Sequence, residues 1–281
     1  MSLLKAAVVG GGATVLTAGT SYGIYNAVSS DAMPVNFVVL SKDSTTVTED
    51  TKIGNLYGDY LISPFGKDKN NNQKWWEWSF RRWKENIEKE GAILSSSFGK
   101  NEIKSAYQPK DKTTGDEEKS LNKICKKVYD QEKKDITKEA SDSSNDKQNL
   151  KNDLWKYCSF FGETPKSIDE VEKGIYKEDG TYGKTHATKL VGIKGNDTFW
   201  ETRNKEFFGE KDQAGAGNGL NATNDSLFHK LYLSKNKGEQ GNIRETCKEA
   251  YSLKATQEGN KPTATKDNVF KFCALEKKEV S

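Results

Sequence analysis

Apolar residues along this chain arrive in short bursts separated by long polar stretches, and the spacing inside the bursts is helical. Trp76, Phe80, Trp83 and Ile87 fall at steps of four, three and four, a stripe on one helical face, and Gly91 stops it. Ser120 is an N-cap ahead of a helix on which Leu121, Ile124, Cys125 and Val128 share a face. A further helix is predicted from about residue 152 to 161, with Gly162 as its stop. Thr164 and Pro165 read as N-cap and N1 of a short linking helix that ends at Gly174. The second half follows the same grammar. Asp197 or Thr198 caps a helix through Phe207 and Phe208, ended by Gly209, and Leu227, Phe228, Leu231 and Tyr232 add a helical turn. Asn242 caps the helix that carries Cys247, and residues 268–275 form a closing helix. Residues 108–119, 211–226 and 254–266 are loops, and 131–149 is a solvated helix end followed by a mobile loop. The β-branched run 35–40 predicts a short strand or a spacer.

The order of landmarks occurs twice. Trp78 and Arg81 precede Cys125, Lys126 and Tyr129, and Trp155 and Cys158 close the set; Trp200 and Arg203 precede Cys247, Lys248 and Tyr251, with Phe270 and Cys273 closing. The first tryptophan stands 47 residues before its cysteine in both sets. The expected fold is mainly α: an N-terminal transmembrane or signal helix, then two duplicated three-helix, disulfide-linked repeats with long polar loops. The segments expected are 1–30 as anchor or signal, 31–60 as spacer, 61–162 as the first repeat, 163–189 as linker and 190–281 as the second repeat. Trp78, Tyr129 and Trp155 are the expected core of the first repeat, and Trp200, Tyr251 and Phe270 that of the second.

Residues 6–30 carry no charge over 25 positions, enough for one bilayer crossing. Lys5 ahead of the span predicts an inside amino terminus and an outside body. A cleaved signal peptide, with Ala27 and Ser29 as the small residues before the cut, is the competing reading. The glycines at 10–12 imitate a dinucleotide-binding turn, but Val15 stands where that motif needs glycine and no βαβ alternation follows.

Composition narrows the chemistry. Only 33% of the 281 residues are hydrophobic while 30% are charged, so 6 Trp, 11 Tyr and 12 Phe must supply much of the core. The 44 basic and 41 acidic residues nearly cancel, which argues against a polyanion-binding face. The cluster of Trp75, Trp76, Trp78 and Trp83 among Lys74, Arg81, Arg82 and Lys84 is accordingly read as core aromatics with solvated cations, and no nucleic acid is expected. Two histidines, His186 and His229, leave little for acid–base or metal chemistry, and neither recurs between the sets. No catalytic, cofactor-binding or metal-binding residues are assigned, and no cofactor is expected.

Four cysteines allow three connectivities, and the repeated order selects Cys125–Cys158 and Cys247–Cys273 if the body lies in an oxidising compartment. Buried free thiols are the alternative. A four-cysteine zinc site is disfavoured because no C-x-x-C pair occurs.

The opening MSLLKAAVVGGGAT, the scarcity of histidine and the blocks LNKICKKVY and DLWKYCSF resemble the paralogous, uncharacterised membrane and surface proteins of haemotropic mycoplasmas. The resemblance implies a wall-less, blood-cell-associated bacterium. It also implies a membrane-anchored, surface-exposed and antigenically variable product. The span at residues 6–30, the paired cysteines and the loop-rich polar body point to a non-enzymatic protein of the cell membrane with an extracellular body, of host-interaction or antigenic type. A host surface molecule is then the expected partner. The alternatives are a secreted location, and an exported enzyme or small-ligand binder.

Overall fold

The computed structural model describes residues 32–43, 49–67, 70–209, 214–235, 237, 240–254 and 262–276. Residues 6–30, the expected membrane span or signal segment, lie outside them. Among the described residues no helix is long and apolar enough to cross a membrane. The chain divides into two compact units, Met1–Thr164 and Pro165–Ser281. The fold is mainly helical, with pairing between extended segments limited to isolated bridges.

Unit 1 contains α1 (Ile53–Tyr57), α2 (Gln73–Ile87), α3 (Leu121–Tyr129) and α4 (Asp146–Tyr157). The stripe expected on α2 is buried at Trp76 and Trp83 but only half-buried at Phe80 and Ile87; Trp75 and Ser79 complete the buried face, and the helix packs on α3 and α4. Residues 31–60, expected as a spacer, instead supply part of the core, with Phe37, Val38, Val39, Leu40 and Ile53 all buried. Val39 bridges Ile62, and Leu61 bridges Ser159, so three distant segments meet edge to edge. The run 35–40 is thus extended at its centre and turns into a 3-10 helix at Leu40–Lys42 instead of continuing as a strand. Only its tertiary partners give those apolar side chains a reason to be there.

Helix α4 begins six residues earlier than its sequence pattern predicts. Asp146 and Asp153 stand on one helical face, and their carboxylates receive Ser96 and Ser95, contacts that no local pattern encodes. The helix also stops short of Gly162, because Phe160 and Phe161 leave it to pack. Phe160 stacks on Phe37 at 5.5 Å, and Phe161 stacks on Tyr60 at 5.0 Å and on Trp155 at 5.8 Å.

Unit 2 contains α5 (Ile168–Val171), α6 (Tyr182–Thr185), α7 (Asp197–Phe208), α8 (Ser226–Tyr232), α9 (Ile243–Tyr251) and α10 (Lys266–Cys273). Helix α9 takes α6, α7, α8 and α10 around it. The helix expected from Thr164 and Pro165 starts later. Ser167 is its N-cap, in a capping box with Glu170, whose carboxylate accepts the Ser167 N–H at 2.6 Å and hydroxyl at 2.9 Å. Of residues 163–189, expected as a linker, 165–189 are built into unit 2: Ile168 and Tyr182 are buried, and the Ile168 N–H donates to the Leu190 carbonyl at 3.0 Å. Asn242 caps α9 as expected, its side chain accepting the Arg244 N–H. Thr265 caps α10, and that helix begins two residues ahead of the expected start.

Candidate functional site

The cysteines form two disulfides, Cys125–Cys158 and Cys247–Cys273, each with a Cα–Cα distance of 5.7 Å. All four sulfurs belong to fully buried residues, and there is no free cysteine. Each bridge ties a central helix (α3 or α9) to the end of a closing helix (α4 or α10). One turn beyond the first cysteine stands a buried tyrosine on the same helical face. Tyr129 Oη lies 3.0 Å from both the Ile62 and the Cys158 carbonyls. Tyr251 Oη lies 2.6 Å from the Val191 carbonyl and 3.2 Å from that of Cys273. One phenolic proton thus serves two carbonyls of different segments. Burial pushes both phenols well above their ordinary range, so neither ionises in any physiological setting.

The same segments are gripped a second time by asparagine. Asn72 and Asn196, the N-caps of α2 and α7, are the two non-glycine residues with positive φ among the described residues, both at 57°. Asn72 accepts the Val38 N–H at 2.8 Å and donates to the Val38 and Ser63 carbonyls at 2.8 and 2.9 Å. Asn196 accepts the Lys166 N–H at 2.8 Å and donates to the Lys166 and Gly192 carbonyls at 3.0 and 2.9 Å. Each side-chain amide pairs with both the N–H and the carbonyl of one residue, as a neighbouring strand would. Asparagine is also a residue that tolerates the left-handed region.

These contacts correct the tryptophan register. Trp76, not Trp78, corresponds to Trp200: both stand four residues after the asparagine, and their indole N–H groups donate to Ser63 at 3.3 Å and Gly192 at 3.0 Å. The preceding ring meets each of them edge-on, Trp75 at 5.0 Å and Phe199 at 4.9 Å. Trp78 is only half-buried, with the Arg82 guanidinium over its ring at 4.5 Å. Counted from Trp76, the separation to Cys125 is 49 residues, against 47 from Trp200 to Cys247. The signal that finds the register is Asn-x-x-aromatic-Trp, at residues 72–76 and 196–200. Trp155 and Phe270 are buried at matching places, three residues before their cysteines.

Around the closing helices the two units differ in charge. Arg203 is buried, donates through Nη2 to the Ala274 carbonyl at 2.5 Å and pairs through Nη1 with Glu206 at 2.8 Å. In unit 1 the comparable guanidinium is Arg82, one turn further along its helix, which donates to the Lys156 and Gly162 carbonyls at 3.2 and 3.4 Å. Arg81, expected to match Arg203, is exposed. Both guanidiniums meet carbonyls at a helix C-terminus, where a cation is favoured. On the same helix as Lys156, Asp153 is buried and takes the Ser95 N–H and hydroxyl at 2.7 Å each. Loss of water raises its carboxyl from 3.8 to about 6 despite those bonds. Burial likewise raises the Tyr157 phenol and lowers the Lys156 ammonium, the latter helped by the nearby Arg82 charge.

The histidines hold structure. His229 Nδ1 lies 2.9 Å from the Leu220 carbonyl and must carry the proton there, and His186 meets the Phe270 ring edge-on at 5.0 Å. Lys126 and Lys248 are solvated and pair with Asp130 and Glu245. Among the described residues no group of three His, Cys, Asp or Glu side chains is placed to hold a metal ion. Comparison with protein-family models, with curated proteins and with solved structures finds no match to this chain.

Proposed function

We propose that this chain is a non-enzymatic surface protein of the cell membrane, anchored through residues 6–30, whose extracellular body is two copies of one disulfide-pinned helical module that engages a host surface molecule. The observation that carries the reading is the pair of buried disulfides in matched settings. Such bonds form and persist in oxidising surroundings and are rare where glutathione keeps thiols reduced. Duplication is supported by the tyrosine, asparagine and tryptophan contacts, which recur atom for atom on the corresponding carbonyls. The likeness of residues 1–14 and of the cysteine blocks to surface proteins of haemotropic mycoplasmas supports the same location.

Protease accessibility and thiol labelling in intact cells test this. The expected result is digestion of the body from outside, with all four cysteines labelled only after reduction. A protected body with freely reacting thiols on lysis would place it inside and end the proposal. A second reading, an exported small-ligand binder, draws on the Arg82, Asp153, Lys156 and Tyr157 cluster, where perturbed groups concentrate.

A further inference from the structure

Unit 2 supplies a carboxylate to its buried guanidinium, and unit 1 does not. Arg203 has Glu206 at 2.8 Å, three residues along the same helix. Counted from the asparagine caps, the α2 residue matching Arg203 is Ser79, and the residue matching Glu206 is Arg82 itself. Moving the guanidinium by one turn therefore put it where its carboxylate stands in the other unit. Ser79 spends its hydroxyl on the Tyr157 carbonyl at 2.7 Å. Lys156 adds a second cation, its ammonium 5.2 Å from the centre of the Tyr157 ring. Among the described residues neither Arg82 nor Lys156 forms an ion pair; their partners are carbonyls and rings. The nearby carboxylates form no ion pair with them: Asp153 accepts from Ser95 and acts on Lys156 only at a distance, as Glu85 does on Arg82.

We propose that the Arg82–Lys156 corner of unit 1 binds a phosphate or sulfate oxyanion. Arg82 gives two N–H groups to carbonyls and keeps the rest of its five-donor fork for a ligand, a geometry suited to two oxygens of a tetrahedral anion. Lys156 supplies the second charge. Gly162, at φ +73°, leaves the guanidinium open on that side, where a Cβ would come within 3.3 Å of Nη2. Burial disfavours the charge on both cations, Glu85 and Asp153 offset it only from a distance and without an ion pair, and a bound oxyanion would supply the direct contact. The proposal concerns unit 1 alone and stands or falls separately from where the protein resides.

The test is titration of the full-length chain with sodium phosphate, sodium sulfate and glucose 6-phosphate at constant ionic strength, read by calorimetry and amide NMR. Saturable binding with shifts at Lys156 and Gly162 is expected. Lys156→Met keeps the contact on Tyr157 and should bind roughly tenfold more weakly, the worth of one charge-assisted contact. Lys271→Met, the matching change in unit 2, should bind as the unaltered chain does. Tighter binding of glucose 6-phosphate than of the inorganic ions would assign the oxyanion to an ester on a larger ligand, and the reverse to a free ion. A response that chloride reproduces, or undiminished binding by Lys156→Met, overturns the proposal.

Discussion

Unit 1 and unit 2 grip their backbones with the same groups and fill their cores with different ones. Tyrosine, asparagine, one indole N–H and one disulfide recur in both, and every one of the polar contacts ends on a backbone atom. Between these fixed points the side chains differ. Trp75 stands at the position of Phe199, Trp155 at that of Phe270, Tyr157 at that of Phe272 and Asp153 at that of Asn268, and the arginine stands one turn further along its helix in unit 1. The difference has a physical basis. A carbonyl stays in place as long as the chain path is kept, so a group bound to it has no freedom to drift. Two side chains in contact can be exchanged together, because only their joint volume and charge matter.

Removing the covalent grip makes the hardest test of that symmetry. The bridges close loops of 33 and 26 residues, so paired Cys→Ala changes in either unit should cost about 3–4 kcal/mol in the chain-entropy estimate. Hydrogen exchange resolved by unit, in urea, should show each loss confined to the altered unit. Equal loss of protection in both would mean that the two fold as one cooperative body.

The asparagine caps should break the symmetry in degree. Asn72 is buried and Asn196 half-buried. Asn72→Ala strands buried backbone groups and places alanine in the left-handed region, at a cost of about 3 kcal/mol. Asn196→Ala should cost about half of that, since water reaches the freed groups. Urea midpoints of the two variants measure the ratio, and a larger loss in unit 2 would contradict the burial argument.

Acidification should separate the units by sign. Asp153 has its folded pKa raised to about 6 from 3.8, so the folded state holds the proton more tightly than the unfolded chain. Its contribution to stability is complete below the unfolded value and is lost as pH rises through about 6. Unit 1 should therefore gain about 1 kcal/mol between roughly pH 7 and pH 5. Asp153→Asn should flatten that slope, while unit 2, with Asn268 at the matching place, should not share it. Unit-resolved exchange at the two pH values decides this, and a slope unchanged by Asp153→Asn would remove Asp153 as its source.

How far the sequence was legible follows the same division. Helices α2, α3, α7 and α9 are readable because their signals are local, although only Asn242 makes the expected capping bond and the cap of α7 is Asn196 rather than Asp197 or Thr198. The cysteine pairing is readable because a repeated order leaves one consistent connectivity. The structural roles of residues 37–40 and 166–168 are not, because the segments they bond to lie far along the chain at Leu61–Ser63 and Leu190–Gly192. The Arg82 corner escapes for a related reason. Its unusual state depends on a carboxylate that stands in one unit and is missing from the other, which only the placed asparagines reveal.

The position of the crosslinks also sets how the chain carries force. A strand drawn tight reaches about 3.4 Å per residue, so the two closed loops keep roughly 110 Å and 90 Å of thread out of reach of a pull on the ends. Tension entering at Cys125 passes straight through sulfur to Cys158, and from Cys247 to Cys273, bypassing the polar loops between them. The chain between the paired cysteines, α4 and α10 included, carries none of that load while the sulfurs hold.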